Sequence, residues 1–237
     1  MIEEFNKYTQ NFNLDDSNLL RKYYHSFRVK DLSILIAKSL NLSAEEIKIA
    51  EVIGLLHDYG RFPQWEKYHT YKDHLSLDHG DYAYQKLFKD GEITKYYQNK
   101  ENYNIISKAI KNHNKLSLPE NLTSKERLFC QIIRDADKID ILYLYSQKAL
   151  QIKDKGTVSP QVEKEFYQNK SINNTIVQSE IDDTLKVLAM IYDLNFKYSF
   201  NYLIEYHLLE CIFETANDKE KLKPYFIKIK NYLKERI

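Results

Sequence analysis

Apolar residues recur along most of this chain every three or four positions, the repeat that lines one face of an α-helix. A short amphipathic lead-in covers 3–12. A longer helix follows, capped by Asp15, Asp16 or Ser17 and running to about Leu40, with Leu20, Tyr24, Phe27, Leu32, Leu35 and Ile36 at helical spacing. Ser43-Ala44-Glu45-Glu46 is a capping box, in which the serine oxygen and the glutamate three residues on satisfy free amides reciprocally. The helix it opens carries Ile47, Ala50, Ile53, Gly54 and Leu55 and ends near His57-Asp58. Gly54 implies close approach of another backbone, and Gly60 is expected to terminate the element. Residues 61–72 read as an exposed loop able to shape or cover a pocket.

Helix is expected to begin inside 73–89 and to break at Asp90-Gly91. A further helix over 99–114 has Tyr103, Ile106, Ala109, Ile110 and then His113 on one face. Thr123-Ser124-Lys125-Glu126 is a second capping box and opens a helix reaching about Lys153. Its inward stripe of Leu128, Ile132, Ile133, Ala136, Ile139, Leu142 and Tyr143 is interrupted by Asp135, Asp137 and Asp140. Polar residues 154–178 read as a loop with at most a short helix, and three helices follow at about 180–194, 196–215 and 219–236. The reading is an all-α chain. A core over 1–153 carries the candidate chemistry, and a helical extension over 154–237 packs on it.

Composition agrees with long regular elements. Among 237 residues there are only 5 Gly and 4 Pro, while 43% are apolar, enough for a full core. With 35 basic against 34 acidic residues the net charge is +1, so neither a nucleic-acid partner nor a membrane surface is expected. Cys130 and Cys211 lie far apart in helical contexts, which argues against a disulfide framework or a cysteine-based zinc site. No leader segment and no membrane span is read, and a cytoplasmic setting is expected.

The chemistry centres on Leu56-His57-Asp58-Tyr59-Gly60-Arg61-Phe62. Adjacent His and Asp at the end of a buried segment are costly to bury without a partner, and a metal ion is the usual one. Four histidines, His25, His57, His79 and His113, sit on or at the ends of expected helices, alongside Asp58 and Asp137. Imidazoles and carboxylates together suit Mn, Fe, Ni, Co or Zn.

The order His25, His57-Asp58, then Asp137 within Arg134-Asp135-Ala136-Asp137-Lys138-Ile139-Asp140 resembles the HD superfamily of metal-dependent phosphohydrolases. Asp78-His79-Gly80 and Ile110-Lys111-Asn112-His113 stand where two-metal branches carry extra histidines. The resemblance covers roughly 18–150. It implies that His25, His57, Asp58 and Asp137 hold a first divalent ion, and that Asp58 bridges to a second held also by His79 and His113. His79 is favoured over His74 for its Asp-His-Gly context, and Asp140 matches a supporting acid. Arg61 falls where relatives place a cation facing the substrate phosphate, and Lys115 is a second candidate for phosphate contact. The implied activity is hydrolysis of a small, nucleotide-like phosphate ester by metal-activated water. The same resemblance admits a two-iron oxygenase or a non-catalytic nucleotide-binding sensor. The Gly-Tyr-Pro segment of the cyclic-dinucleotide branch is missing. Arg61 also replaces an acid used by some nucleotidase members, which counts against both substrate classes.

Overall fold

Small side chains set the packing of the first half of the chain. In the computed structural model, which describes all of residues 1–237, α2 (Ser17–Ser39) and α3 (Ala44–Leu56) pack against each other. A Cβ at Gly54 would stand 2.7 Å from the Lys30 Cα, 2.8 Å from Ser33 Oγ and 2.9 Å from the Val29 carbonyl oxygen. The two backbones meet here because neither helix puts a bulky group between them, the close approach expected of Gly54. The Asp16 carboxylate caps α2 by accepting from the Asn18 amide, and both arms of the Ser43–Glu46 capping box open α3.

The inward face of α2 differs from the expected apolar stripe. It consists of Leu19, His25, Ser26, Val29, Leu32, Ser33, Ile36 and Ala37, while Leu20, Tyr24 and Leu35 are exposed. Counting apolar residues misplaces the face because its contact with α3 is made partly by serines and a histidine. α1 (Ile2–Thr9) lays aromatic rings on the turn after α3. Tyr8 stacks on Tyr59 with centroids 3.7 Å apart and donates its hydroxyl to the Tyr59 carbonyl at 2.7 Å, while Phe5 meets Phe27 and Phe62 edge-on.

The loop expected over 61–72 is largely a helix, α4 (Arg61–Tyr68). Gly60 adopts right-handed helical torsions at its N-cap, so it starts the next helix rather than stopping the last one. Pro63 lies in the first turn, where a missing N–H breaks no helical bond, and Phe62 and Gln64 are buried. A single 3₁₀ turn at Asp73–Leu75 leads into α5 (His79–Tyr84), which widens into a π turn at Gln85–Lys89 before Gly91 breaks it. α6 (Tyr103–Asn112) and α7 (Ser124–Ser146) follow, the latter opened by both arms of the Thr123–Glu126 box. α7 ends seven residues or so before the expected stop, and Lys148 has left-handed torsions.

The chain divides inside α7 into two compact units, Met1–Ala136 and Asp137–Ile237. The second contains α8 (Pro160–Tyr167), α9 (Glu180–Leu188), α10 (Lys197–Glu205), α11 (Leu208–Glu214) and α12 (Lys219–Lys234). One helix expected over 196–215 is two, separated at His207 with φ 51°. Rings of Phe166, Tyr192, Tyr225 and Tyr232 pack edge-on within this unit, and α12 buries Leu222, Phe226, Ile229 and Leu233 as its spacing predicts. The fully buried Asp182 accepts from the Ser159, Gln178 and Ser179 amides and from the Ser159 hydroxyl, pinning the loop before α8 to the start of α9. No helix is long and apolar enough to cross a membrane.

Gly54→Ala is expected to lower the unfolding free energy by about 1–3 kcal/mol, because its Cβ meets backbone that has nowhere to go. Urea unfolding of the variant beside wild type measures the loss.

Candidate metal centre

Four helix segments of the first unit each contribute one imidazole. His25 lies within α2, His57 is the C-cap of α3, His79 is the first residue of α5, and His113 is the C-cap of α6. Asp58 follows His57 in the turn that Gly60 closes. All five side chains are buried, none more than 3% exposed. The turn fits tightly: a Cβ at Gly60 would stand 2.4 Å from the His79 carbonyl oxygen, so only glycine lets the His57–Asp58 turn lie against the start of α5.

The five converge as two triads that share one carboxylate. Asp58 Oδ2 lies 3.3 Å from His25 Nε2 and 3.6 Å from His57 Nε2. Asp58 Oδ1 lies 3.4 Å from His79 Nε2 and 3.7 Å from His113 Nε2. The remaining edges are 3.2 Å between the Nε2 atoms of His25 and His57, and 3.0 Å between those of His79 and His113. Ligand atoms around one ion at about 2.1 Å stand roughly 3.0–3.4 Å apart in octahedral or tetrahedral arrangement, so both triangles have the size of a metal site. Each triad can hold one ion.

The donor chemistry gives an independent test of that fit. His79 Nδ1 is 2.7 Å from an Asp73 carboxylate oxygen, and His113 Nδ1 is 2.7 Å from the Ile110 carbonyl. Both acceptors require a hydrogen on Nδ1, which leaves each neutral ring a bare lone pair on Nε2. Those two lone pairs face each other at 3.0 Å, an arrangement that repels unless a cation lies between them. His57 is oriented the same way, donating from Nδ1 to the Gly54 carbonyl at 2.8 Å. In all three rings the outer nitrogen is engaged by protein and the inner one is presented to the centre, the arrangement that fixes a metal-binding imidazole.

Around the triads lies a polar layer that the sequence pattern did not single out. Asp73, besides holding His79, accepts from Arg61 Nη1 and Gln64 Nε2 at 2.9 Å each and from Asn114 Nδ2 at 3.0 Å. Gln64 is fully buried and also donates to Ser76 Oγ and the Leu77 carbonyl, which ties α4 to the segment before His79. Arg134 is buried and donates to carbonyls of Asn112, His113, Lys115 and Leu116, gripping the chain on either side of His113. Lys22 Nζ lies 2.6 Å from Asp58 Oδ2. It stands one helical turn before His25 on the same face, with nothing in the spacing to mark it out.

Of the residues singled out by sequence, His25, His57, Asp58, His79 and His113 come together. His74 is exposed and lies in neither triad. Arg61 sits beside the centre, its Nη1 donating to Gln64 Oε1, the Tyr71 carbonyl and Asp73. Its Nε is 3.5 Å from Asp58 Oδ1, close enough for an ion pair but not aimed as a hydrogen bond, and it is buried without a hydrogen-bond partner. Lys115, just past the end of α6, is engaged by Asp78 and Asp81 at the start of α5, so phosphate contact would require it to leave both. Asp137, half-buried on α7, is the first residue of the second unit, whereas both triads come wholly from the first. Asp140 is buried in that second unit.

Electrostatics hold Asp58 charged and His79 neutral, the forms that can bind a cation. Burial by itself would raise the Asp58 carboxyl, but the Lys22 ammonium and the surrounding histidines outweigh it and hold the group well below the usual carboxylate range. Burial, and then the charge of Arg61, push His79 down to about 3 against the opposing pull of Asp73. Asp73 is itself held below the usual range, its burial overcome by His79, Arg61 and Gln64.

A family model described as HD domain matches residues 23–142 of the chain. No curated protein and no solved structure matches the chain.

Removing the charge that orients His79 is expected to loosen the second triad. Asp73→Asn should weaken divalent-metal binding about 10- to 100-fold in chelator competition while the protein stays folded. Acid should destabilise the chelated protein. Because the folded chain holds His79 neutral down to about pH 3, protons bind the unfolded chain preferentially below its ordinary value near 6.5. Stability is therefore complete above about pH 6.5 and falls as the pH drops, by on the order of 2 kcal/mol by pH 5. Urea midpoints across this range check it, and His79→Gln should flatten the slope.

Proposed function

This chain belongs to the HD-domain family, and from that premise we propose that it is a metal-dependent phosphohydrolase acting on a small, nucleotide-like phosphate ester. The observation that carries the reading is the pair of triads sharing Asp58, one carboxylate oxygen facing each pair of imidazole Nε2 atoms. Divalent ions such as Mn, Fe, Ni, Co or Zn held there would activate water and neutralise phosphate oxygens. In this reading His25, His57 and Asp58 hold the first ion, and Asp58, His79 and His113 hold the second.

The chain's own residues then do three things. The Nδ1 bonds of His57, His79 and His113 keep the inner nitrogens aimed at the centre, so the ligand geometry needs no reorganisation. Arg61 is immobilised by Gln64, Tyr71 and Asp73, and its Nε, which makes no hydrogen bond, offers a fixed positive donor where charge gathers on the phosphate. Burial of all five ligands excludes bulk water and strengthens each of these interactions. Cations beside Asp58 favour an anionic substrate, and the near-zero net charge favours a small molecule over nucleic acid. A cytoplasmic setting goes with this reading.

The test begins with elemental analysis of protein purified without chelator. Loading with Mn, Co, Ni or Fe and assay against a phosphate-ester panel should give metal-dependent phosphate release. His57→Ala and Asp58→Asn are each expected to reduce it by about a hundredfold or more. No release from any ester would sink the proposal. Oxygen uptake by the iron-loaded protein would point instead to an oxygenase, and tight nucleotide binding without turnover to a sensor.

A further inference from the structure

Two cations flank Asp58, and they are held very differently. Arg61 is fastened by three acceptors on one nitrogen. Lys22 has one acceptor, Asp58 Oδ2 at 2.6 Å, although an ammonium carries three donors. The ammonium also lies by the ring of Tyr71, with Nζ 5.5 Å from the centroid. Arg61 lies 5.5 Å from the same ring, and the Tyr71 hydroxyl is anchored on the Asn18 carbonyl, so one fixed aromatic ring adjoins both cations.

The place of Lys22 is equally telling. Its side chain is 17% exposed against 3% for Asp58, so the lysine reaches from the buried carboxylate to the outside. The oxygen it occupies is the one that faces His25 and His57. A divalent ion held by that triad would draw on the same oxygen and repel the ammonium. An ammonium with two spare donors, pressed outward beside an ion, is suited to a doubly charged oxyanion approaching from the exposed side.

We propose that Lys22 is a substrate-binding residue of this centre, its ammonium engaging oxygens of the phosphate group while sharing Asp58 with the first ion. The identity of the anion rests on the phosphohydrolase reading; the position of the cation does not. Were Lys22 merely the counter-ion of a buried carboxylate, an ion at the triad would replace it and phosphate binding would not depend on it.

The experiment uses Mn-loaded full-length protein and inorganic phosphate, with affinity measured by titration calorimetry and Mn affinity by chelator competition. Lys22→Gln is expected to weaken phosphate binding about tenfold or more, and Lys22→Arg to stay within about threefold of wild type. Mn affinity of the Gln variant should equal or exceed that of wild type, since a competing charge is gone. Lys22→Met is a second neutral variant should Gln fail to fold, with melting curves of the loaded proteins as the check. The proposal is overturned if wild type binds no phosphate, if the neutral variants bind it as tightly as wild type, or if they lose Mn affinity. Lysine-dependent phosphate binding without turnover of any ester would sink the hydrolase reading and leave Lys22 in place. Turnover with phosphate affinity unmoved by Lys22→Gln would do the reverse.

Discussion

One buried carboxylate faced by four imidazole nitrogens is the constraint from which the first unit takes its form. Asp58 and the Nε2 atoms of His25, His57, His79 and His113 stand 3.3–3.7 Å apart, and the Nδ1 bonds of His57, His79 and His113 direct the lone pairs of those three inward. Such a group is costly to hold together: the lone pairs of His79 and His113 repel at 3.0 Å, and every polar group in it was stripped of water when it was buried. Its persistence requires cations at the centre and a scaffold stiff enough to resist the repulsion. Both are visible, the first in Lys22 and Arg61 and in the capacity of each triad for an ion, the second in the layer of bonds behind the rings.

That layer uses what helix ends supply without further design. His57 and His113 are both C-caps, and each turns its Nδ1 back onto a carbonyl three residues earlier, Gly54 or Ile110. Carbonyls of the last turn have no amide partner, so they satisfy the outer nitrogen of a histidine placed there, and the negative end of the helix favours a cation beyond it. His79 comes from a helix start instead, where no free carbonyl is offered, and a carboxylate does the same task. Asp73 is in turn held by Arg61, Gln64 and Asn114, so α4 and the chain before α5 become part of the ligand's support.

Glycine enters at the two points where backbones must nearly touch. Gly54 lets α3 lie against α2, which sets the distance from His57 to His25, and Gly60 lets the Asp58 turn lie against the His79 backbone. A side chain at either place would separate a pair of ligands, so helix packing and ligand geometry are one problem in this unit.

The sequence alone determined the helical character of the chain, both capping boxes, the close approach at Gly54 and the histidines that converge with Asp58. These are legible because they depend on local pattern: helical spacing, cap chemistry, and buried groups that require a partner. What surrounds the ligands was decided only by tertiary structure. The inward face of α2 escaped because Ser26 and Ser33 fill it as well as apolar residues do, and α4 escaped because Pro63 in a first turn looks like loop. Lys22, Gln64, Asp73 and Asn114 are ordinary polar residues in the sequence. They acquire a role only when helices distant along the chain bring their side chains within hydrogen-bond reach, and no spacing rule encodes a contact across 36 residues such as that of Lys22 with Asp58.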